Sequence, residues 1–452
     1  MRNIQSVSDN YMCSSCGACK AICARSAVSF KYTSIGRKYA FVNGECTDCG
    51  MCLRVCPSID YYNLYDTYED RLLGEIKQLY IGRATDTFIY ENSQSGGVAT
   101  MLLKYLFEKG LIDGALVCKM TASDNPEAYG YIAYRVADLL DSQKSCYTPV
   151  DLLSELRNAS HLKSLAVVGL PCHIEGVCNL TRTLKKMNNI TYKIGLICDR
   201  TLCKGIQDVF LSFDKTKCHT IHWRRKNLLH GSNSYTYEHA PVVIVGENDR
   251  VLKIFPNTYR HDLKELFTSP RCRVCYDKLN VHADIVLGDP WLMPDADKKN
   301  GDSLIIVRTD NGASLLSSAI DDKYISISSS GDSLMPSFLA GQHVEQRRRQ
   351  VASFSSAMVD VLADTDEAIP LLHDKLFGSE SSSASAKDIE ASKAKIYSFI
   401  SMEQKCNKDI VDIGRSVIKR NMKNDRRRNS RLWYSYIKVR TILGKVKRRI
   451  IL

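Results

Sequence analysis

Cys13-Ser-Ser-Cys16-Gly-Ala-Cys19-Lys-Ala-Ile-Cys23 and, after 22 intervening residues, Cys46-Thr-Asp-Cys49-Gly-Met-Cys52-Leu-Arg-Val-Cys56-Pro57 decide how this chain begins. Each half reads C-x2-C-x2-C-x3-C. Three thiolates at that pitch can wrap one iron–sulfur cube, whereas the fourth lies too far along the chain to close the same cube and ligates the other one. The expected ligands of a first 4Fe–4S cluster are Cys13, Cys16, Cys19 and Cys56. Those of a second are Cys46, Cys49, Cys52 and Cys23. Gly17 and Gly50 fall inside the loops, where backbone must approach sulfur closely. A disulfide framework fits less well, because it needs an oxidising compartment. Zinc fits less well too, because it favours two separated C-x2-C pairs per site.

The pattern resembles that of bacterial two-cluster ferredoxins. Ala24 stands where a proline is usual, and Pro57 is present in the second half; no ligand is lost. The whole chain, at 452 residues, has room for two or three domains and a sizeable core. No apolar stretch precedes Cys13 and no apolar run approaches the ~20 residues of a membrane span, so a reducing cytoplasm is the expected location. The net charge of +12 sits at one end: residues 423–452 hold 11 Lys or Arg and one Asp. The rest is nearly neutral, which argues against a nucleic-acid-binding body.

Residues 1–60 are therefore read as a small α+β ferredoxin-like module, with short strands at 28–32 and 39–42 between its loops. Residues 61–78 are a connector. A second body starts at 79. Tyr80–Ala84, Ala115–Cys118, Ser164–Gly169, Tyr192–Ile197, Ala283–Leu287 and Leu304–Val307 read as strands separated by helical stretches, which predicts an α/β body with a mixed sheet and flanking helices. Ser95-Gly96-Gly97 opens a helix from Val98 that ends at Gly110. Such a turn can present free N–H groups to a pyrophosphate, or be a bare cap. Cys172, Cys198 and Asp289 fall at strand ends, where ligands gather in open α/β sheets. Cys272-Arg-Val-Cys275 is half a zinc site, a dithiol or half a cluster site by spacing alone. With Cys172 and Cys198 it could complete a third cluster; those two are equally readable as ordinary buried thiols.

From 79 to about 335 the body resembles the beta subunit of coenzyme F420 (deazaflavin) hydrogenase and its dehydrogenase relatives. The resemblance is carried by Ser93–Thr100 (SQSGGVAT), Gly169–Gly176 (GLPCHIEG), Cys198, Cys272–Trp291 (CRVCYDKLNVHADIVLGDPW) and Gly301–Arg308. It implies an FAD in the body, faced by Ser95, Gly96 and Gly97. It also implies a third 4Fe–4S cluster on Cys172, Cys198, Cys272 and Cys275. His173 and Asp199 stand where the family often has Gln and His. His173 and Asp289 are candidate catalytic groups. The expected activity is an oxidoreductase that passes electrons between a deazaflavin- or nicotinamide-type hydride carrier, FAD and 4Fe–4S clusters, with a redox protein at the far end. Two other readings are a non-catalytic electron-transfer subunit and a ferredoxin-fed reductase in surface-polysaccharide biosynthesis.

Beyond the body, 336–378 is read as a helical extension, 379–388 as a Ser-rich linker and 389–452 as a helical basic tail. Leu432, Tyr436, Val439, Leu443, Val446 and Ile450 recur at helical spacing among Lys and Arg. A stripe of that kind at 425–452 can lie on an anionic membrane surface or pack on a protein helix.

Overall fold

A computed structural model describes residues 3–59, 72–184, 187–214, 217, 220–226, 228–230, 233–235, 237, 239–362 and 384–425. The stripe from Leu432 to Ile450, most of the connector and half of the Ser-rich linker lie outside them.

The first module is a hairpin, β1 (Val28–Tyr32) against β2 (Lys38–Val42), with two short helices, Ala18–Ile22 and Met51–Arg54, rising from the cysteine loops. The body is an eight-stranded sheet. Its strands are β3 (Gln78–Ala84), β4 (Gly114–Met120), β5 (Ala128–Ala133), β6 (Leu165–Gly169) and β7 (Ile190–Leu196). Between β7 and the rest of the sheet are a three-stranded sheet of β8 (Thr220–His222), β11 (Val242–Val245) and β12 (Val251–Phe255), and a hairpin of β9 (Leu228–His230) with β10 (Asn233–Tyr235). The large sheet then adds β13 (Ile285–Gly288), β14 (Ser303–Val307) and β15 (Ile325–Ser330). Its order is β15-β3-β14-β13-β7-β6-β4-β5.

The four strands β13, β7, β6 and β4 run parallel, and antiparallel strands flank them on both sides. The parallel strands bury both faces. Leu116, Leu165, Val167 and Val286 enter one core, while Ala115, Val117, Ala166 and Ile285 enter another. That is why β6 (LAVVG) and β13 (IVLG) are continuous apolar runs rather than alternating ones, whereas β7 (ITYKIGL) is only partly buried. The strand expected from Ala283 begins two residues later. Asp284 is instead spent holding Lys193 N (2.7 Å) and the Thr309 hydroxyl (2.9 Å).

The first module is fused to the body by backbone. Leu153 N donates to Cys16 O (3.0 Å), Gly205 N to Ile35 O (3.1 Å) and Lys204 N to Gly36 O (2.8 Å). Gly17 has φ +96°, and a Cβ there would lie 2.6 Å from Ser154 N. Its glycine therefore serves the left-handed turn and the seam with the body, beyond the approach to sulfur expected above. Past the sheet come helices Met335–Gly341, Val344–Val361 and Ala386–Glu403, followed by a helix over 407–425. The helical tail expected from 389 is thus broken at 404–406, and its first helix begins inside the expected linker, at Ala386. Phe399 meets Tyr11 edge-on at 6.3 Å, and Arg37 of the hairpin forms a two-pronged ion pair with Glu403. Ile410 and Ile418 are buried with Val209 and Phe210 of the body. Among the described residues, no helix is long and apolar enough to cross a membrane.

Candidate functional site

The loops that fold the first module bring its thiols into two groups. Cys13, Cys16, Cys19 and Cys56 are all buried. The Cys19 thiol is pushed well above its usual range, by burial first and then by Cys16, Cys13, Cys56 and Cys52. Burial likewise pushes Cys16 up to about 12. Burial of this kind disfavours the charged form of Cys16, Cys19 and Cys56, and iron would supply the compensating charge. The second group is shallower. Burial raises Cys52, with Cys46 and Cys49 adding to the shift, and Cys49 is exposed. Backbone N–H groups already point at sulfur: Ser15 N and Ala40 N at Cys13 (both 3.4 Å), Ala27 N at Cys23 (3.3 Å) and Asp48 N at Cys46 (3.4 Å). Such bonds help to set cluster potentials. Thiolates on one zinc would stand about 3.8 Å apart. No group of three or more His, Cys, Asp or Glu converges like that among the described residues.

A third group forms at the carboxyl ends of the parallel strands. Cys172 opens the helix after β6, Cys198 follows β7, and Cys272 and Cys275 flank the end of the short helix Pro270–Arg273. Burial raises Cys172 and Cys198, and the remaining members of the set, Cys272 and Cys275, add to the shift in each. Arg347 Nη2 donates to both Cys272 O (2.9 Å) and Cys275 O (2.5 Å), which pins the C-x2-C turn. Arg271 is buried beside it. Its Nε donates to Ser58 Oγ (2.8 Å) and its Nη2 to Pro57 O (3.2 Å), next to Cys56, while Nη1 is buried with no partner. Burial works against its charge, yet Cys275 and its neighbours keep it a guanidinium. A buried cation with a free donor among four thiols fits an anionic cluster.

The third group adjoins the first. After burial itself, Cys16 of the first module acts most strongly on Cys172, ahead of Cys198, Cys275 and Cys272. One turn along the Cys172 helix, Gly176 faces Cys16, where a Cβ would stand 3.7 Å from Sγ.

Cys198 also lines a cavity of about 740 Å³, large enough for a cofactor. Ser95 and Gly97 line it from the turn before the Val98 helix. Buried Gln94 Oε1 on its wall has no hydrogen-bond partner. Cations converge on it: Arg200, Arg224, Arg260, Lys264, Lys278 and Arg347. Arg200 bonds Asp199 (2.9 Å) and Glu265 (3.0 Å). Burial would raise the Asp199 carboxyl, but Arg200, Arg347, Lys264 and Lys278 bring it down to about 2. Burial lowers Lys278 to about 8. At the rim Trp291 stacks on Tyr237 at 5.7 Å, and Arg224 lies over both rings.

The expected site residues are placed as follows. Gly96 turns to the sheet rather than into the cavity: its carbonyl accepts from Ala84 N (2.8 Å), and a Cβ would meet Ser303 N at 2.5 Å. His173 is buried. Its Nδ1 accepts from Leu170 N (3.2 Å), so Nε2 carries the proton and donates to Val150 O (3.1 Å). Both ring nitrogens are occupied by main chain, and burial lowers its basicity to about 4, so the ring acts as a neutral strut. Asp289 bonds Arg224 Nη1 at 2.6 Å. The converging cations Arg224, Arg260, Lys264 and Arg347 were not anticipated. They are scattered over more than 120 positions in no motif, and His222-Trp-Arg-Arg-Lys226 was the one local hint.

Comparison with known proteins agrees with this layout. The family models described as coenzyme F420 hydrogenase/dehydrogenase, beta subunit N-term and C terminus, match residues 79–157 and 162–332, together more than half the chain. The 4Fe-4S dicluster domain matches 12–59. A coenzyme F420-dependent sulfite reductase of Methanocaldococcus jannaschii is 27% identical over 329 residues, 68% of this chain; the chain spans about half of that relative, 46% of its length. A coenzyme F420 hydrogenase subunit beta of Methanothermobacter thermautotrophicus is 24% identical over 55% of this chain and 83% of its own. A chain of the F420-reducing NiFe hydrogenase complex of Methanosarcina barkeri superposes with a TM-score of 0.47 at 21% identity, over 62% of this chain and 92% of that one. With both halves of the body and the module ahead of it matched in order, the chain belongs to the coenzyme F420 hydrogenase/dehydrogenase beta subunit family and carries an N-terminal two-cluster 4Fe–4S domain.

Proposed function

We propose that the protein is an iron–sulfur flavoprotein oxidoreductase that moves electrons between a hydride carrier at the cavity and a protein partner at the second cluster. The observation that carries this reading is Cys172, which stands in the third thiol group and beside Cys16 of the first. The three groups therefore form a row, from the cavity wall at Cys198 to exposed Cys49. The cavity is the support for FAD. Its Ser95 and Gly97 turn, its cations and unpartnered Gln94 Oε1 suit a dinucleotide with a diphosphate. When bound, a flavin exchanges two electrons with a hydride carrier and one at a time with clusters. This chain's residues would hold the diphosphate, shield the ring from water and keep Cys198 next to it. The relatives' names favour a deazaflavin carrier over a nicotinamide.

The test is anaerobic. Purified protein is assayed for bound flavin, then given reduced deazaflavin, NADH, NADPH or reduced ferredoxin in separate cuvettes. Bleaching of flavin absorbance by a hydride carrier is the expected result. Absence of flavin, or bleaching by ferredoxin alone, overturns it.

A further inference from the structure

The turn after β13 holds a large aromatic side chain in the open. Trp291 lines the cavity at its rim yet stays 37% exposed, and Leu292 beside it is 64% exposed. We infer that Trp291 is the stacking platform for the tricyclic ring of a deazaflavin hydride carrier. This rests on the reading proposed above, in which a hydride carrier meets a flavin in the cavity.

Backbone, rather than burial of the indole, fixes Trp291 in place. Trp291 N donates to Asp289 O (2.9 Å), Met293 N to Pro290 O (3.2 Å) and Gln342 Nε2 to Asp289 O (2.9 Å). Met293 is fully buried and closes the far end of the turn. Gly341 approaches so closely that a Cβ there would stand 1.8 Å from Trp291 O. Leu292 takes φ +62°, a left-handed conformation that leucine rarely adopts. A turn held in this shape, with its two largest apolar side chains left in water, is the kind of strain that collects at ligand clamps.

The surface presented is flat and close to neutral. Buried Tyr237 stacks on the indole with centroids 5.7 Å apart and planes at 22°. Arg224 lies 5.7 Å from the indole centroid, and Asp289 balances its charge at 2.6 Å. Such a platform offers ring area more than charge, so it suits the ring of a carrier rather than its anionic groups. Dispersion grows with the area overlapped, and a tricycle covers more of an indole than a single nicotinamide ring does. Position separates the carrier from the flavin. A carrier arrives and leaves, and needs a contact open to solvent; a resident flavin has to lie beside Cys198 to pass electrons to the third thiol group.

The experiment uses the holoprotein, dialysed anaerobically to equilibrium against oxidised coenzyme F420. Wild type, Trp291→Ala and Trp291→Phe are compared, with flavin and iron measured in each. Trp291→Ala should keep its flavin and iron and bind the deazaflavin roughly tenfold or more weakly, the effect of losing one aromatic stacking partner. Trp291→Phe should recover most of the affinity. Equal affinity in Trp291→Ala and wild type overturns the inference and leaves the flavoprotein reading standing. Loss of flavin from Trp291→Ala also overturns it, since the platform would then belong to the flavin. Wild-type protein that holds flavin but binds no deazaflavin overturns the inference and the choice of carrier together.

Discussion

The pair between Arg37 and Glu403 anchors the helix Ala386–Glu403 to the first module, and its removal has a calculable consequence. Arg37 Nε and Nη2 reach the two Glu403 oxygens at 2.8 and 3.3 Å, and the side chains are 9% and 12% exposed. At that burial, solvent does little to screen a lone charge. Deleting one partner of a buried pair costs ~3–5 kcal/mol. Arg37 keeps a bond to Ser8 O (3.2 Å) and the face of the Tyr11 ring at 4.7 Å, so Glu403→Ala belongs at the low end, ~3 kcal/mol. If the loss is felt as easier undocking of the helix, the opening equilibrium rises by a factor on the order of 100. Hydrogen–deuterium exchange of the amides around Ile396–Met402 reads this directly, and roughly hundredfold faster exchange is expected there. The exposed pair between Lys393 and Asp360 (24% and 52%) is the control. Lys393→Ala should change exchange no more than about fivefold, since such pairs contribute at most ~1 kcal/mol. Equal effects of the two substitutions, or none from Glu403→Ala, would refute the reasoning.

Other predictions follow from single positions. Gly96→Ala places a Cβ 2.5 Å from Ser303 N and 2.7 Å from Gly82 O, backbone that cannot yield, so thermal stability should fall by several degrees. Gly44→Ala, which meets nothing within 4 Å, should leave the melting temperature within a degree or two. His222 is held neutral, at about 3, by burial and by Lys144 and Arg225. Its folded value lies below the unfolded ~6.5, so the unfolded chain takes up the proton first and stability is lost as pH falls below 6.5. The loss attributable to His222 between pH 7 and pH 5 is about 2 kcal/mol, and His222→Phe should remove most of that slope in denaturant melts at the two pH values. Parallel slopes for the two proteins would count against a neutral His222.

How much was readable beforehand depended on where the information lay along the chain. Eight thiols were legible because ligation imposes a short, rigid spacing. The inner strands were legible because burial on two faces leaves apolar runs, Leu165-Ala-Val-Val in parallel β6 and Leu304-Ile-Ile-Val in antiparallel β14. The edge strands were not. β5 (AYGYIA) and β15 (ISISSS) are half-exposed and poor in large apolar residues, and sheet neighbours rather than propensity fix them. Cys118 and Cys146 had no usable spacing, because a β-strand and a distant loop supply them to the cavity wall. The same holds for the cations of the cavity and for Arg271, whose role arises from Pro57 and Ser58, more than 200 positions away. Gly96 was misread for a related reason: a glycine that lets a loop approach a ligand and one that lets it approach a strand look alike in sequence.

The central claim is that the body holds its own cluster in line with the other two, and iron counting tests it most directly. Anaerobically purified protein should contain about twelve irons per chain, and the double variant Cys272→Ser, Cys275→Ser about eight, with the signals of the first two clusters intact by electron paramagnetic resonance. Eight irons in both proteins would contradict it.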